Sequence, residues 1–271
     1  MKKVEISAYG VPQEVAACVE AADVGMPGAG EIVFDVLAFP INPADLSMCR
    51  GNYRLHPQLP ATPGAECVGR ITAVGTGVTG LRPGDLVINM QRENWTQRRR
   101  IAAADAIPIP AGLDIAQAAM LRINPATAQL LLEDGPDLAT RAGDAPGGQP
   151  IRLGIDAVSG AATKRIADCV ADGGVVVSYG SMSGDDPVMS RAALGARGVT
   201  LTGFMLGRGL AKRTPEAVRA LYAELAAKLR DGVLKAPIDK MYPIEDIKSA
   251  LAHAQRGGRH GKVLVLPNGK L

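Results

Sequence analysis

GTGVTG, Gly75 to Gly80, fits the spacing G-x-G-x-x-G letter for letter and follows an apolar run, GRITAV, that reads as a strand. In a dinucleotide-binding loop this spacing carries the chain from a strand through a tight turn directly into a helix, whose first N–H groups receive a pyrophosphate. Here no helical pattern follows: LRPGDLVI turns at Pro83-Gly84 and resumes an extended run at Leu86-Val87-Ile88. The glycines therefore read as a turn joining two strands.

Working outward, the chain up to about residue 110 is built of short apolar runs broken by Pro and Gly: KKVEISAYG, EIVFDVLAF, ECVGRITAVG, DLVINM, TQRRRIAAA and DAIPIP. That spacing predicts a barrel-like, strand-rich half. DIAQAAMLRINPATAQLLLE (Asp114 to Glu133) changes to helical spacing, with Asp114 as an N-cap and two helices meeting near Asn124. After residue 150 strands and helices alternate: IRLGIDAV (Ile151 to Val158), GAATKRIADCVA, GGVVVSYG (Gly173 to Gly180), the short helix SRAALGA, and VTLTGFML (Val199 to Leu206). This order predicts three parallel strands with helical crossovers. TPEAVRALYAELAAKLRDG reads as a long helix capped by Thr214, with Pro215 at its first position and Gly232 past its end, and IEDIKSALAHAQR and KVLVLP supply a final helix and strand. Asp134 to Pro150, rich in Gly and Pro, reads as a linker.

Composition limits the function classes. The 271 residues are 47% hydrophobic, enough for two packed domains or one large one, and a net charge of +3 gives no case for a nucleic-acid partner. Arg98-Arg99-Arg100 reads as a solvated strand edge. Aromatics at 3% leave no base-stacking surface, and no apolar stretch reaches the ~20 residues of a membrane span. Cys18, Cys49, Cys67 and Cys169 have no C-x-x-C spacing, which with no secretory leader predicts reduced thiols in a cytoplasmic protein. His56, His253 and His260 share no ligand spacing and read as surface residues.

INPADL (Ile41 to Leu46), the block Arg50 to Asp85, ENWTQ (Glu93 to Gln97), LRINPATA (Leu121 to Ala128), IDAVSG, GGVVVSYGSMSG, LTGFMLGR and GKVLVLP together resemble the medium-chain dehydrogenase/reductase superfamily. Within it they are most similar to the zinc-free branch of trans-2-enoyl-thioester reductases and quinone oxidoreductases. Ala65 stands where the zinc enzymes of the superfamily carry histidine, so no metal is expected. The resemblance implies an α/β chain: a GroES-like β-barrel catalytic domain over residues 1–120, to which 240–271 return, and a doubly wound nucleotide-binding domain over 121–239. Two strand-helix units that family members carry before IRLGIDAV, about 60 residues, have no counterpart in this sequence, and the expectation is a truncated, half Rossmann sheet. The absent units carry the phosphate loop, so NADPH is the expected cofactor and its binding is expected to be impaired.

For the reaction, the resemblance assigns Tyr53 as donor and acid, Asn42 as an orienting amide, and Trp95 as a wall of the substrate cleft. Each has an ordinary rival reading: Tyr53 packing on Pro57 or Pro60, Asn42 as a turn residue before Pro43, Trp95 as core. For the nicotinamide end it assigns Asn124 and Thr127, the loop Tyr179-Gly180-Ser181-Met182 running on to Ser183, and Phe204-Met205-Leu206. Lys262 resembles a residue near the adenosine phosphate, and otherwise reads as a solvated lysine opening an edge strand. The functions in competition are an NADPH-dependent reductase of 2-enoyl thioesters or quinone-like enones, a non-redox descendant that binds acyl thioesters, and an inactive shortened form. A homodimer through the third strand is expected. The strand IRLGIDAV should add a sticky edge that a charge at mid-strand, Gly154→Lys, would relieve.

Overall fold

The computed structural model describes residues 1–133, 150–269 and 271, so the predicted linker lies, apart from Pro150, outside the described residues. The chain divides into two units, one of Met1–Pro125 with Ala217–Leu271 and one of Ala126–Glu216.

In the first unit, β1 (Lys2–Ile6) pairs antiparallel with β2 (Ala16–Glu20), linked by the short α1 (Pro12–Val15). A larger sheet runs in the order β11 (Ile238–Pro243), β12 (Lys262–Leu266), β3 (Glu31–Pro40), β4 (Val68–Val74), β5 (Leu86–Asn89), β7 (Ala106–Ile109), with β6 (Arg98–Ala102) paired to β3. The strands of this unit are those the apolar runs predict, with two additions, β2 and β11. Alternation along β3 turns Ile32, Phe34 and Val36 into a core shared with Val4, Ile6, Ile71, Val87 and Trp95. Each arginine of β6 reaches an acid: Arg98 meets Asp35 at 2.7 Å, Arg99 meets Glu93 at 3.1 Å and Arg100 meets Glu31 at 3.6 Å.

GTGVTG is the turn between β4 and β5. Gly77 and Gly80 hold φ of +78° and +76°, the left-handed region that glycine enters without strain. A Cβ on Gly75 would collide with the backbone carbonyl of Gly28, so this glycine serves close packing of two chain segments.

Helix α2 (Pro43–Cys49) follows β3, and α3 (Ile115–Ala118) begins where Asp114 accepts from the Ala116 and Gln117 amides, the cap expected. The long helix α7 (Pro215–Arg230) buries Leu221, Tyr222, Leu225 and Ala226, and Gly232 beyond it has φ +75°. α8 (Ile247–Ala254) packs Ile247, Ala250 and Leu251 on the core. His253 on α8 is no surface histidine: it lies between the Tyr242 hydroxyl and the Asp239 carboxylate, each 3.0 Å away.

The second unit holds a parallel sheet, β10 (Thr200–Gly203), β9 (Val175–Ser178), β8 (Leu153–Asp156), all three predicted. α5 (Ala161–Cys169) covers one face through Ala167, with Val170, Val176, Ala193 and Val199 completing the small core. Between β9 and β10 stands a single π-helical turn, Ala192–Ala196. The third strand is shorter than VTLTGFML suggests: it ends at Gly203, and Leu206 already opens a short helix, α6 (Leu206–Ala211). α4 (Asn124–Glu133) begins at the boundary of the two units. No helix among the described residues is long and apolar enough to cross a membrane.

Candidate active site

Several charged or polar side chains that composition would place outside are drawn into the first unit. β3 ends at Pro40, and Asn42 before α2 is buried, its backbone N–H donating to Asp45 Oδ2 at 3.0 Å. The Asn42 amide is held at both ends: Nδ2 donates to Glu66 Oε1 at 2.9 Å, and Oδ1 accepts from Lys262 Nζ at 2.6 Å. The second oxygen of Glu66 accepts the Ile123 amide at 3.0 Å, so one carboxylate fixes both Asn42 and the residue before Asn124. Arg122 donates to the carbonyl oxygens of Ala65 and Met90.

Burial governs the charge states. It pushes the Glu66 carboxyl up, with Lys262, the Asn42 amide and Arg122 pulling the other way, and it lowers the Lys262 ammonium against the pull of Glu66 and Asp45. Desolvation likewise raises Asp45 to about 6, opposed by the Asn42 N–H and by the charges of Arg92 and Lys262. A folded value above the ordinary 3.8 means that the native state binds the extra proton, so stability contributed below that value is lost as pH rises toward about 6. Asp45→Asn keeps an acceptor for Asn42 and cannot ionise. Urea unfolding across this range is expected to show a flatter pH slope for the variant, by up to ~3 kcal/mol in total. An unchanged slope would show that Asp45 is ionised in the fold throughout.

Tyr53 stands on the loop between α2 and β4. Its hydroxyl accepts from Arg92 Nη2 at 2.9 Å, and the Arg92 guanidinium lies 5.0 Å from the ring centre, with Arg54 at 5.7 Å. With its oxygen accepting from a cation, the hydroxyl keeps its own hydrogen to donate. The segment that carries Arg92 is organised by buried Asn94, whose side chain accepts from Asn89 (2.7 Å) and from the Cys67 thiol (3.2 Å) and donates to the carbonyls of Gly64 and Gln91.

Two residues stand in surroundings other than those the resemblance implies. Trp95 lines no cleft: it is fully buried and stacks on Phe39 with ring centres 5.8 Å apart, which is the core reading. Lys262 is no solvated edge residue: β12 lies between β11 and β3, and the lysine amine donates to Asn42 Oδ1. Glu66, Arg92, Asn94 and Arg122 were not foreseen. The available signals were a glutamate inside the apolar GAECVG and an arginine inside MLRIN.

In the second unit the three strand ends meet at their carboxyl side, where open α/β sheets bind ligands. Asp156 accepts from the Val158 and Ser159 amides (2.8 and 2.9 Å) and from the Thr163 hydroxyl (2.6 Å), fixing the turn into α5. Ser159 Oγ donates to Gly180 O at 3.0 Å, and Phe204 N to Ser178 O at 2.9 Å, so the three loops are tied together. A Cβ on Gly180 would come 2.6 Å from the Ala157 carbonyl oxygen. Tyr179, Ser181, Met182 and Met205 are exposed there, and Phe204 and Leu206 are half-buried. Asn124 is exposed and Thr127 half-buried on the first turn of α4.

The chain belongs to the medium-chain dehydrogenase/reductase superfamily: residues 28–113 match the alcohol dehydrogenase GroES-like domain, and residues 134–265 match the zinc-binding dehydrogenase family. Among the described residues no group of three or more His, Cys, Asp or Glu side chains is placed to hold a metal ion. It is similar to the mitochondrial enoyl-[acyl-carrier-protein] reductase of Bos taurus, 28% identical over 316 residues that take in 92% of this chain and 85% of that one. The matched stretch is longer than the 271 residues here, so that relative carries residues without a counterpart in this chain. Two solved structures share the fold: a putative NADPH:quinone reductase from Bacillus thuringiensis (TM-score 0.83, 21% identity, 98% of each chain) and the quinone oxidoreductase of Escherichia coli complexed with NADPH (TM-score 0.81, 22% identity, 98% of this chain and all of that one).

Proposed function

We propose that this chain is an NADPH-type reductase scaffold for the C=C bond of a 2-enoyl thioester or a quinone-like enone, with weakened cofactor binding. The observation that carries the reading is the Tyr53 hydroxyl held by Arg92, a donor poised for a carbonyl oxygen that gains negative charge. The enoyl reductases it resembles in sequence make a conjugated thioester the favoured substrate. NADPH when bound would supply a hydride to Cβ. The residues of this chain bind and orient: Tyr53 donates to the carbonyl oxygen as charge moves onto it, and the buried Glu66 and Lys262 hold the Asn42 amide for a polar group of substrate or cofactor.

The strand ends suit the nicotinamide end of a dinucleotide. Gly180 lets its loop pack directly on the Ala157 carbonyl, and Tyr179, Ser181, Met182, Phe204, Met205, Leu206, Asn124 and Thr127 are our candidates to contact the ring and its ribose. For the phosphates we identify no holder, since Lys262 is occupied elsewhere, and we read the three-stranded sheet as a truncated form of the doubly wound domain. Phosphate hydrogen bonds contribute about 1.5–3 kcal/mol each, so their loss weakens binding by orders of magnitude. The test is incubation with millimolar deuteride-labelled NADPH and a trans-2-enoyl thioester: one deuterium at Cβ of the saturated thioester is expected. Binding of the thioester without any reduced product would favour a non-redox acyl-thioester-binding protein instead.

We further read the chain as a cytoplasmic homodimer, the first from its four free cysteines and the second from the sheet edges. Among the described residues β10 and β8 each pair only with β9, and Ile155 on β8 is 48% exposed. Gly154 is the wrong place for a test charge, because any side chain there would strike Ile166 of α5. Ile155→Lys is expected to suppress species larger than a dimer in sedimentation while leaving the dimer. A wild-type chain that sediments as a monomer would contradict this assembly.

A further inference from the structure

Arg92 has more donor capacity than its visible partners use. Nη2 holds the Tyr53 hydroxyl, whereas Nη1 is buried and has no hydrogen-bond partner among the described residues. A buried cationic N–H left without an acceptor is costly, and such groups persist where a ligand completes them. Asp45 Oδ1 is also buried without a partner, yet no ion pair joins the two, and Asp45 is already turned to the Asn42 amide by its other oxygen. Nη1 and Nη2 share one carbon, so Nη1 stands beside the arm that holds the Tyr53 hydroxyl, and one acceptor oxygen can meet both donors.

We propose that Arg92 is a second hydrogen-bond donor for the substrate carbonyl oxygen, acting beside Tyr53; this rests on the reduction proposed above. Hydride addition at Cβ breaks the C=C π bond, and its electron pair moves through Cα onto the carbonyl oxygen as an enolate. The hydride brings the two reducing electrons from NADPH, which is oxidised to NADP⁺, and a proton from solvent then closes Cα. A phenol and a guanidinium N–H converging on that oxygen stabilise the enolate more than the neutral thioester, which is the condition for a rate effect. The planar fork of arginine suits the task, one arm on the tyrosine and the other on the substrate.

The test needs no cofactor. Acetoacetyl-CoA can lose a Cα proton to buffer, and its enolate has a near-ultraviolet band that reports stabilisation of charge on the carbonyl oxygen. The wild-type protein is expected to raise the enolate fraction at fixed pH. Arg92→Gln should lower it about tenfold or more, and Arg92→Lys should restore part of it. In a Tyr53→Phe background Arg92→Gln should still lower the band, since the arginine acts on the substrate directly. Thermal melts establish that each variant is folded, and Arg92→Lys is read alone if Arg92→Gln is not. The proposal is overturned if the wild type raises no band, if Arg92 variants match it, or if the effect of Arg92 disappears without the tyrosine hydroxyl. NADPH consumption with crotonyl-CoA is measured separately: its failure with the band intact removes the reductase reading and leaves the carbonyl site.

Discussion

Tyr53→Phe is expected to lower kcat for enoyl-thioester reduction on the order of a hundredfold while changing KM little. The hydroxyl has one charged donor, Arg92, at 2.9 Å, and the ring is held below the same guanidinium, so phenylalanine keeps the packing and loses only the O–H. What is lost is therefore a donor whose bond strengthens as the carbonyl oxygen becomes an enolate oxygen. Such an interaction lowers the barrier without tightening the ground state, and its removal acts on kcat. The comparison is steady-state turnover at a fixed, high NADPH concentration. Equal turnover for wild type and variant would take Tyr53 out of the chemistry.

Gly64→Ala is expected to destabilise the first unit strongly, by roughly 4 kcal/mol or more. Two costs coincide there. Gly64 holds φ +116°, and a Cβ at this position would lie 2.6 Å from the backbone nitrogens of both Asn94 and Trp95. Those nitrogens belong to a segment that cannot swing away, because Asn94 N donates to Gly64 O and Trp95 N to Pro63 O. Relief requires moving the strand-to-turn segment that positions Arg92, so activity should fall with stability. By contrast Gly77→Ala, with a similar φ sign but open space around it, should cost only about 1 kcal/mol. A Gly64→Ala protein melting within a degree or two of wild type would contradict the close approach.

The contrast between these two glycines shows what the sequence can and cannot convey. The turn character of GTGVTG was legible from Pro83, Gly84 and the apolar residues after them, which are local facts. So were β8, β9 and β10, whose short apolar runs are bounded by turn residues, with Val176 and Val199 packed against Ala167 of α5. β11 was not legible, because IDKMYP is polar and largely exposed and becomes a strand only by pairing with β12. That omission explains the misreading of Lys262: without β11, β12 looks like an edge, and an edge lysine looks solvated.

The polar interior was hidden for the same reason. Glu66, Lys262, Arg92 and Arg122 come from four separate stretches of chain, and only tertiary closure makes them neighbours of Asn42 and Tyr53. Periodicity gives no sign of such a cluster, since each residue taken alone is an unremarked charge beside an apolar run. Trp95 failed in the opposite direction. A lone tryptophan next to Asn94 reads equally as a cleft wall or as core, and its stacking on Phe39 decides for core.

The proposed weakening of the cofactor site makes NADPH affinity the decisive quantity. Titration of the purified protein with NADPH, followed by nicotinamide fluorescence, tests it most directly. Saturable binding is expected with a dissociation constant on the order of a millimolar, about 4 kcal/mol of binding free energy. Micromolar affinity would show that the phosphates are held by groups this account does not identify, and the claim of a weakened cofactor site would be wrong.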